Sequence, residues 1–349
     1  MKVSMVPLLA ILAAGPSCGA SNEGFPKGAA LNKAIADETF KQITGVVVSQ
    51  NGERQYESYW GEGSKDQMND TRSATKTLVA LAIGAAIDDG LISGVDAKAW
   101  SWFEAEKPFR HESTLKANIT IADLLTMSSA LDCNDNVWET PGNEEHMYPS
   151  RNWTIFTVDL PTKADFKRDS GGRGAFAYCT VGSFLLGQIV QRATGEPVDQ
   201  YIQRRLFTPL GITSANWDRS PSGEVMTGGG TELKSKDLLA LGELMLNRGV
   251  HQGQQVVSAK WIDAMTRKHL RASDNQHYGY QTWHMDFDCG QRKVDGWHMA
   301  GNGGNKVAWF PELGVVAVVT ATLYGTRGMH QQSTDILNDF VLGSVEACQ

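Results

Sequence analysis

Between residues 78 and 87 the chain carries ten consecutive positions without a polar side chain, from Leu78 through Gly84 to Ile87. A helix that is apolar all round has no surface face and belongs inside a protein. Asp88, Asp89 and Gly90 supply its stop, with Gly90 placed for a left-handed C-cap. The one polar end is the first turn, which holds Ser73 and Lys76. Residues three apart on a helix share a side, so ammonium and hydroxyl can meet. A hydroxyl becomes a useful nucleophile when a base takes its proton, and a lysine in an apolar setting can be that base. A helix N-terminus adds partial positive charge and unpaired backbone N–H groups beside the serine, which suits an oxyanion. Ser-x-x-Lys is a short match, and Ser73 also suits a plain helix N-cap. The motif alone favours the cap, the buried helix behind it brings the two readings level, and elements further along the chain decide between them.

The first 20 residues hold one lysine, a short apolar core around Leu8 and Ala14, and small residues ending at Ala20. That is the pattern of a secretory signal. The core is too short to cross a bilayer, which takes roughly 20 apolar residues. Cys18 raises lipid attachment, but residues 15–17 are a poor lead-in, so export and release is the expectation. Residues 1–23 are therefore set aside as signal and linker. The rest suits one large domain or two intertwined ones. A net charge of −7 argues against nucleic acid or an anionic membrane surface as the main partner. No further membrane span, repeat or low-complexity tract occurs. Cys133, Cys179, Cys289 and Cys348 remain after the signal. An even number in an exported chain permits disulfides, and Cys133 and Cys179 flank a long polar stretch that a bridge would pin; spacing alone leaves the pairing open. No zinc motif occurs, so neither metal nor cofactor is expected.

Residues 44–60 read as a β-hairpin, with Asn51-Gly52 as a type I′ turn signal. Thr120 and Asp123 form a capping box ahead of Leu124 and Leu125. Residues 136–175 are polar and rich in Pro and Gly, which reads as a long surface excursion. A second apolar helix carries Phe184, Leu185, Leu186, Ile189 and Val190 and closes at Gly195. Residues 198–210 and 234–248 read as further helices. Strand-like runs occupy residues 294–324, and a helix over 331–342 ends the chain. Strands at both ends with helices between them predict an α+β chain. Residues 24–95 and 232–349 would form the mixed domain and 96–231 the mainly helical one, with the active site between them.

Three elements in order resemble the serine β-lactamase and penicillin-binding-protein superfamily. Ser73-Ala74-Thr75-Lys76 resembles its Ser-x-x-Lys box. Tyr178-Cys179-Thr180 resembles the Tyr-x-Asn box of the class C branch. His298-Met299-Ala300-Gly301-Asn302-Gly303-Gly304-Asn305 resembles the Lys-Thr-Gly strand region. Leu124-Leu125-Thr126-Met127-Ser128-Ser129 and Phe207-Thr208-Pro209-Leu210-Gly211-Ile212 are typical of class C-like serine hydrolases. The resemblance spans residues 45–345 and implies an antiparallel sheet flanked by terminal helices, with an inserted helical domain. Two departures stand out. Met299-Ala300-Gly301 replaces Lys-Thr-Gly, whose lysine helps hold a substrate carboxylate, and Thr180 replaces the asparagine. The combination is more similar to the esterase and 6-aminohexanoate-dimer hydrolase branch.

By that resemblance Ser73 is the nucleophile, Lys76 its base, and Tyr178 a relay that holds a proton for the leaving group. A phenol needs a neighbouring cation to give up its proton near neutral pH, and Lys76 can be that cation. The oxyanion needs two preorganised donors, for which the backbone N–H groups of Ser73 and Asn302 are the candidates. Gly301 and Gly303 let the strand pass close to substrate. Arg72, Trp309 and residues 141–150 are candidates to shape the pocket; His298 is given no catalytic role. The expectation is an exported, monomeric serine hydrolase that cleaves an ester or small amide through an acyl-enzyme. The alternatives are a D,D-peptidase or β-lactamase, and an inactive penicillin-binding-like sensor.

Overall fold

A computed structural model describes residues 25–349; the expected signal segment, its cleavage point and Cys18 lie outside the described residues. The chain begins with helix α1 (Gly28–Ala36) and the hairpin β1 (Ile43–Gln50) and β2 (Glu53–Tyr59). Asn51 and Gly52 both have positive φ, 53° and 80°, as the predicted type I′ turn requires. Strand β3 (Asn69–Asp70) leads through a 3₁₀ turn, Arg72–Ala74, into α2 (Thr75–Asp88). Helices α3 (Thr114–Ala117), α4 (Ile121–Leu125), α5 (Glu144–Met147), α6 (Trp153–Val158), α7 (Thr180–Thr194) and α8 (Val198–Ile202) follow. The chain returns through β4 (Asn216–Trp217) and β5 (Thr231–Leu233) to α9 (Ser235–Leu246), the pair β6 (Val250–His251) and β7 (Gln254–Gln255), and α10 (Ala259–Met265). It then runs through β8 (Leu270–Arg271), β9 (His277–Tyr278), β10 (Trp283–Cys289), β11 (Arg292–Gly301), β12 (Asn305–Phe310) and β13 (Val315–Ala321). Helix α11 (Met329–Asp335) closes the fold and continues as a π-helical turn over Ile336–Val341.

Eight strands form one antiparallel sheet in the order β2-β1-β13-β12-β11-β10-β9-β8. Its central strands β12 and β13 are buried at every position because both faces are covered. Side chains alternate between faces with period two. Val46, Val48, Val315, Ala317 and Val319 join Leu31 of α1 and Ile336, Leu337 and Val341 of the terminal helix. Val47, Val316, Val318 and Val307 face α9 and the larger core that reaches through α2 and α7. Helix α9 can approach closely because Gly242 faces Val316; a Cβ there would lie 2.5 Å from Val316 Cγ1.

Helix α2 sits as its composition demands, with every residue from Thr75 to Ala86 buried. It ends at Asp88, and Gly90 takes the left-handed conformation with φ 73°. Trp261 of α10 crosses it at Gly84 and donates its indole N–H to Ala80 O at 3.0 Å. The capping box at Thr120 forms in both directions, and α7 closes at Gly195 with φ 72°.

Residues 136–175 differ from the expected surface excursion. Two short helices lie within them, and Met147, Trp153, Val158 and Leu160 are buried. Their apolar residues are too few for a periodic signal, but Asn143 and Asn152 cap the two helices by accepting from Glu145 N and Ile155 N. The later part is tied down by Arg168, whose guanidinium makes a two-pronged bond to buried Asp123 at 2.7 and 2.8 Å.

Two disulfides form, Cys133–Cys179 and Cys289–Cys348. The first closes a 46-residue separation around α5 and α6. In the chain-entropy picture a loop of that size contributes about 4 kcal/mol. Replacing Cys133 and Cys179 by Ala is expected to lower the unfolding free energy by up to that amount in urea titrations. An unchanged denaturation midpoint, or free thiols at both positions by peptide mapping, would remove the bridge.

Candidate active site

Ser73 lies in the 3₁₀ turn ahead of α2, one residue earlier than a plain helix start would place it. The residue before it, Arg72, has φ 48°. Left-handed backbone is costly for a non-glycine residue and persists only where surroundings enforce it. Asp70 enforces it here: its carboxylate accepts from Arg72 N at 2.9 Å and pairs with the guanidinium at 2.8 Å. The guanidinium also lies over the Tyr324 ring, 4.6 Å from its centroid. Behind Ser73, Thr71 Oγ1 bonds Thr231 O at 2.7 Å and fixes the turn to β5.

Lys76 is 2% exposed. Its Nζ donates to Ser73 Oγ at 3.0 Å and to Gly228 O at 2.5 Å. The Tyr178 ring covers the same ammonium, with 4.9 Å from Nζ to the ring centroid. The three residues expected to react thus meet around one nitrogen. Gly228 was not foreseen, although a run of three glycines at 228, 229 and 230 was there to be read. It is packed so tightly that a Cβ would lie 2.6 Å from Thr180 Cγ2.

The turn after β11 packs directly against the Ser73 turn. A Cβ on Gly301 would lie 2.0 Å from Thr71 O, so glycine is required for this approach. Gly303 has φ 90° and faces the Tyr324 ring. Asn305 staples the two segments, its Nδ2 donating to Asn302 O at 2.9 Å and Asp70 O at 3.2 Å. Asn302 Oδ1 accepts from Gly325 N at 2.7 Å. The backbone N–H groups of Ser73 and Asn302 have no partner among the described residues, and both residues line the same groove.

Tyr178 is held by Asp135, a residue the sequence reading passed over. Asp135 N donates to Tyr178 O at 2.8 Å, and its carboxylate accepts from Thr180 N at 2.7 Å and Glu144 N at 3.1 Å. It therefore caps the N-termini of α7 and α5 together, which Cys179 cannot do for α7. Burial, with the nearby Glu144 charge second, pushes its carboxyl up to about 6 against the pull of Lys76 and the Thr180 N–H. The Cys133–Cys179 bridge joins the same two segments. Thr180 Oγ1 is buried without a partner.

All of this opens into a groove of about 1400 Å³. Arg72 and Glu144, Glu145 and Tyr148 of the 141–150 segment line it, whereas Trp309 is a core residue of β12, 1% exposed. Met299 is likewise 1% exposed and lies in the core rather than in the groove. At the far end His284, Asp286 and Asp295 come within 4.8 Å of one another, and Lys268 already pairs with Asp295 at 3.3 Å. No helix among the described residues is long and apolar enough to cross a membrane.

The chain is 25% identical over 202 residues to the 6-aminohexanoate-dimer hydrolase of Paenarthrobacter ureafaciens, which covers 55% of this chain and 49% of the relative. It is 27% identical over 252 residues to the lovastatin esterase of Penicillium rubens, covering 61% and 60%. The chain thus spans about half to three fifths of the length of these relatives. Among solved structures, a family VIII carboxylesterase superposes with a TM-score of 0.68 at 14% identity, covering 93% of this chain and 98% of that one. That likeness shows a shared fold. Residues 32–338 match the family described as Beta-lactamase, and with most of its length inside that match the chain belongs to the beta-lactamase family.

Proposed function

We propose that this protein is a serine hydrolase that cleaves an ester or small amide through an acyl-enzyme on Ser73. The observation that carries the reading is the 3.0 Å approach of Lys76 Nζ to Ser73 Oγ under the Tyr178 ring. In the first step Ser73 Oγ bonds the substrate carbonyl carbon while its proton passes to Lys76, directly or through the Tyr178 hydroxyl. The carbonyl oxygen takes up the electron pair facing the N–H groups of Ser73 and Asn302. The bond to the leaving group then breaks, and the same proton goes to that departing oxygen or nitrogen. Water repeats the sequence on the acyl-enzyme and frees Ser73. The curated relatives, a dimer hydrolase and an esterase, support an amide or ester as substrate. The disulfides support an exported protein, since such bridges persist in oxidising compartments.

Ser73→Ala is expected to abolish p-nitrophenyl acetate turnover with the circular dichroism spectrum unchanged, and a fluorophosphonate should label the parent at Ser73. Loss of a nucleophile costs many orders of magnitude. Activity within tenfold of the parent would place the nucleophile elsewhere, and no label would favour the inactive sensor.

Gly301→Ala tests the second oxyanion donor. Its methyl group would collide with Thr71 O and push the Asn302 N–H away from Ser73. One such donor is worth roughly 10²–10³ in kcat. A folded variant with parental kcat would take Asn302 out of the oxyanion pair.

Specificity follows from Met299. A charge-assisted contact to a carboxylate is worth roughly 1.5–3 kcal/mol, and methionine buried in the core supplies none. Nitrocefin is therefore expected to acylate Ser73 at least about tenfold more slowly than a short-chain p-nitrophenyl ester, as 1.4 kcal/mol is tenfold. The reverse order would establish the β-lactamase alternative.

A further inference from the structure

Lys306 is a buried cation that the hydrolase reading leaves without a role. It stands on β12 opposite Ala300 of β11, and is 3% exposed. Its Nζ donates to Thr334 Oγ1 at 2.5 Å and His330 O at 3.2 Å, both neutral oxygens of α11. No carboxylate pairs with it among the described residues; the nearest acid acting on it, Asp335, instead accepts from Gln331 Nε2 at 2.7 Å. An ammonium has three donors, so one remains unassigned. Beside it His298 of β11 is 2% exposed, and its Nδ1 is buried without any partner. A buried polar group left unpaired costs on the order of 1–3 kcal/mol. Lys306, His298, Ala300, Met329, His330 and Thr334 all border the groove that holds Ser73. Met329 Sδ accepts from Gly303 N at 3.2 Å, so this lobe begins directly behind the oxyanion turn.

We infer that the lobe between β11, β12 and α11 is a binding site for a small monocarboxylate, held by Lys306 Nζ and His298 Nδ1. The charge fits one negative group and no more. Burial, then Lys306, holds the His298 imidazole well below its usual range, and burial lowers His330 to about 4 for the same two reasons. Lys306 itself is lowered to about 7 by burial, against the pull of Asp335. His284 is the other titratable group acting on His298, and it too is held neutral by burial. Two donors on one side suit the two oxygens of a carboxylate, and Met285, Met329 and Ala300 offer an apolar wall to its alkyl part. This is not the missing family lysine arriving from another strand. Met299 pairs with Val307 on one face of the sheet, and Lys306 pairs with Ala300 on the other.

The test is a titration of the whole protein, labelled with ¹⁵N-lysine and ¹⁵N-histidine, with sodium acetate, using sodium chloride at equal ionic strength as control. Acetate is expected to shift the Lys306 Nζ and His298 Nδ1 signals saturably, with a Kd on the order of 1 mM. The bound form requires charged Lys306, so above about pH 7 a proton must be taken up and affinity should fall about tenfold per pH unit. Lys306→Met should abolish the response, and His298→Phe should weaken it. A shift equally large with chloride, no saturation, or an unchanged response in Lys306→Met would overturn the site. If Lys306→Met does not fold, the parental lysine signal decides alone. The readout is binding, so it stands apart from whether Ser73 turns over esters. Kinetics then separate the sources of the carboxylate. A KM lowered for an ester bearing a terminal carboxylate, and restored by Lys306→Met, marks a substrate arm. Competition by free acetate without that effect marks a free acid.

Discussion

A helix without a polar face has to be covered on every side, and the arrangement around α2 follows from that constraint. Helix α7 packs along it, β11 and α8 meet it elsewhere, and Trp261 of α10 crosses it at Gly84. Covering it leaves a single outlet for polar groups, at its N-terminal end. Lys76 there donates to a hydroxyl and a carbonyl beneath an aromatic ring, with the Asp135 carboxylate near enough to feel its charge. No carboxylate forms a salt bridge with it among the described residues. Dense packing also explains the precision of the site. Gly301 against Thr71, Gly228 against Thr180 and Gly84 against Trp261 are each places where one added carbon atom would force the segments apart.

Local signals in the sequence carried most of the fold. The Asn51-Gly52 turn, the Thr120–Asp123 capping box, the stops at Gly90 and Gly195 and the alternating strands all depend on residues within a few positions of one another. That Ser73, Lys76 and Tyr178 come together was legible because a short spacing and a family order mark them. Asp135 and Gly228 were not. Asp135 reaches Thr180 across 45 positions and Gly228 reaches Lys76 across 152, and nothing near either residue announces the partner. The helices within 136–175 were missed for a related reason: four or six residues are too short for a periodic pattern, and only their asparagine caps betray them. The Cys289–Cys348 pairing depends on β10 lying beside the C-terminal turns, which only the folded chain reveals.

Tyr178 illustrates how a side chain is held without a bond to its own hydroxyl. The ring stacks on Trp283 with centroids 5.8 Å apart, and its backbone carbonyl is fixed by Asp135 N. Cys179 is bridged to Cys133, and Thr180 N is capped by the Asp135 carboxylate. Three consecutive residues are thus tied to one short segment, 133–135, by a covalent bond and two hydrogen bonds. Its phenol oxygen has no hydrogen-bond partner among the described residues, and the side chain lines the groove.

Strand register decides which face each charge serves. Because side chains alternate, a shift of one position between β11 and β12 would exchange the faces of Met299 and Ala300 and of Lys306 and Val307. The observed pairing, Met299 with Val307 and Ala300 with Lys306, sends the thioether into the core beside α2 and the ammonium toward α11. On the Lys76 side of the sheet the cation beside Ser73 is instead Arg72, which pairs with Asp70 at 2.8 Å. The turn at 301–304 presents the unpartnered Asn302 N–H to the same groove. The Asn305 staple and the Gly301 contact with Thr71 fix that turn against the segment that carries Ser73.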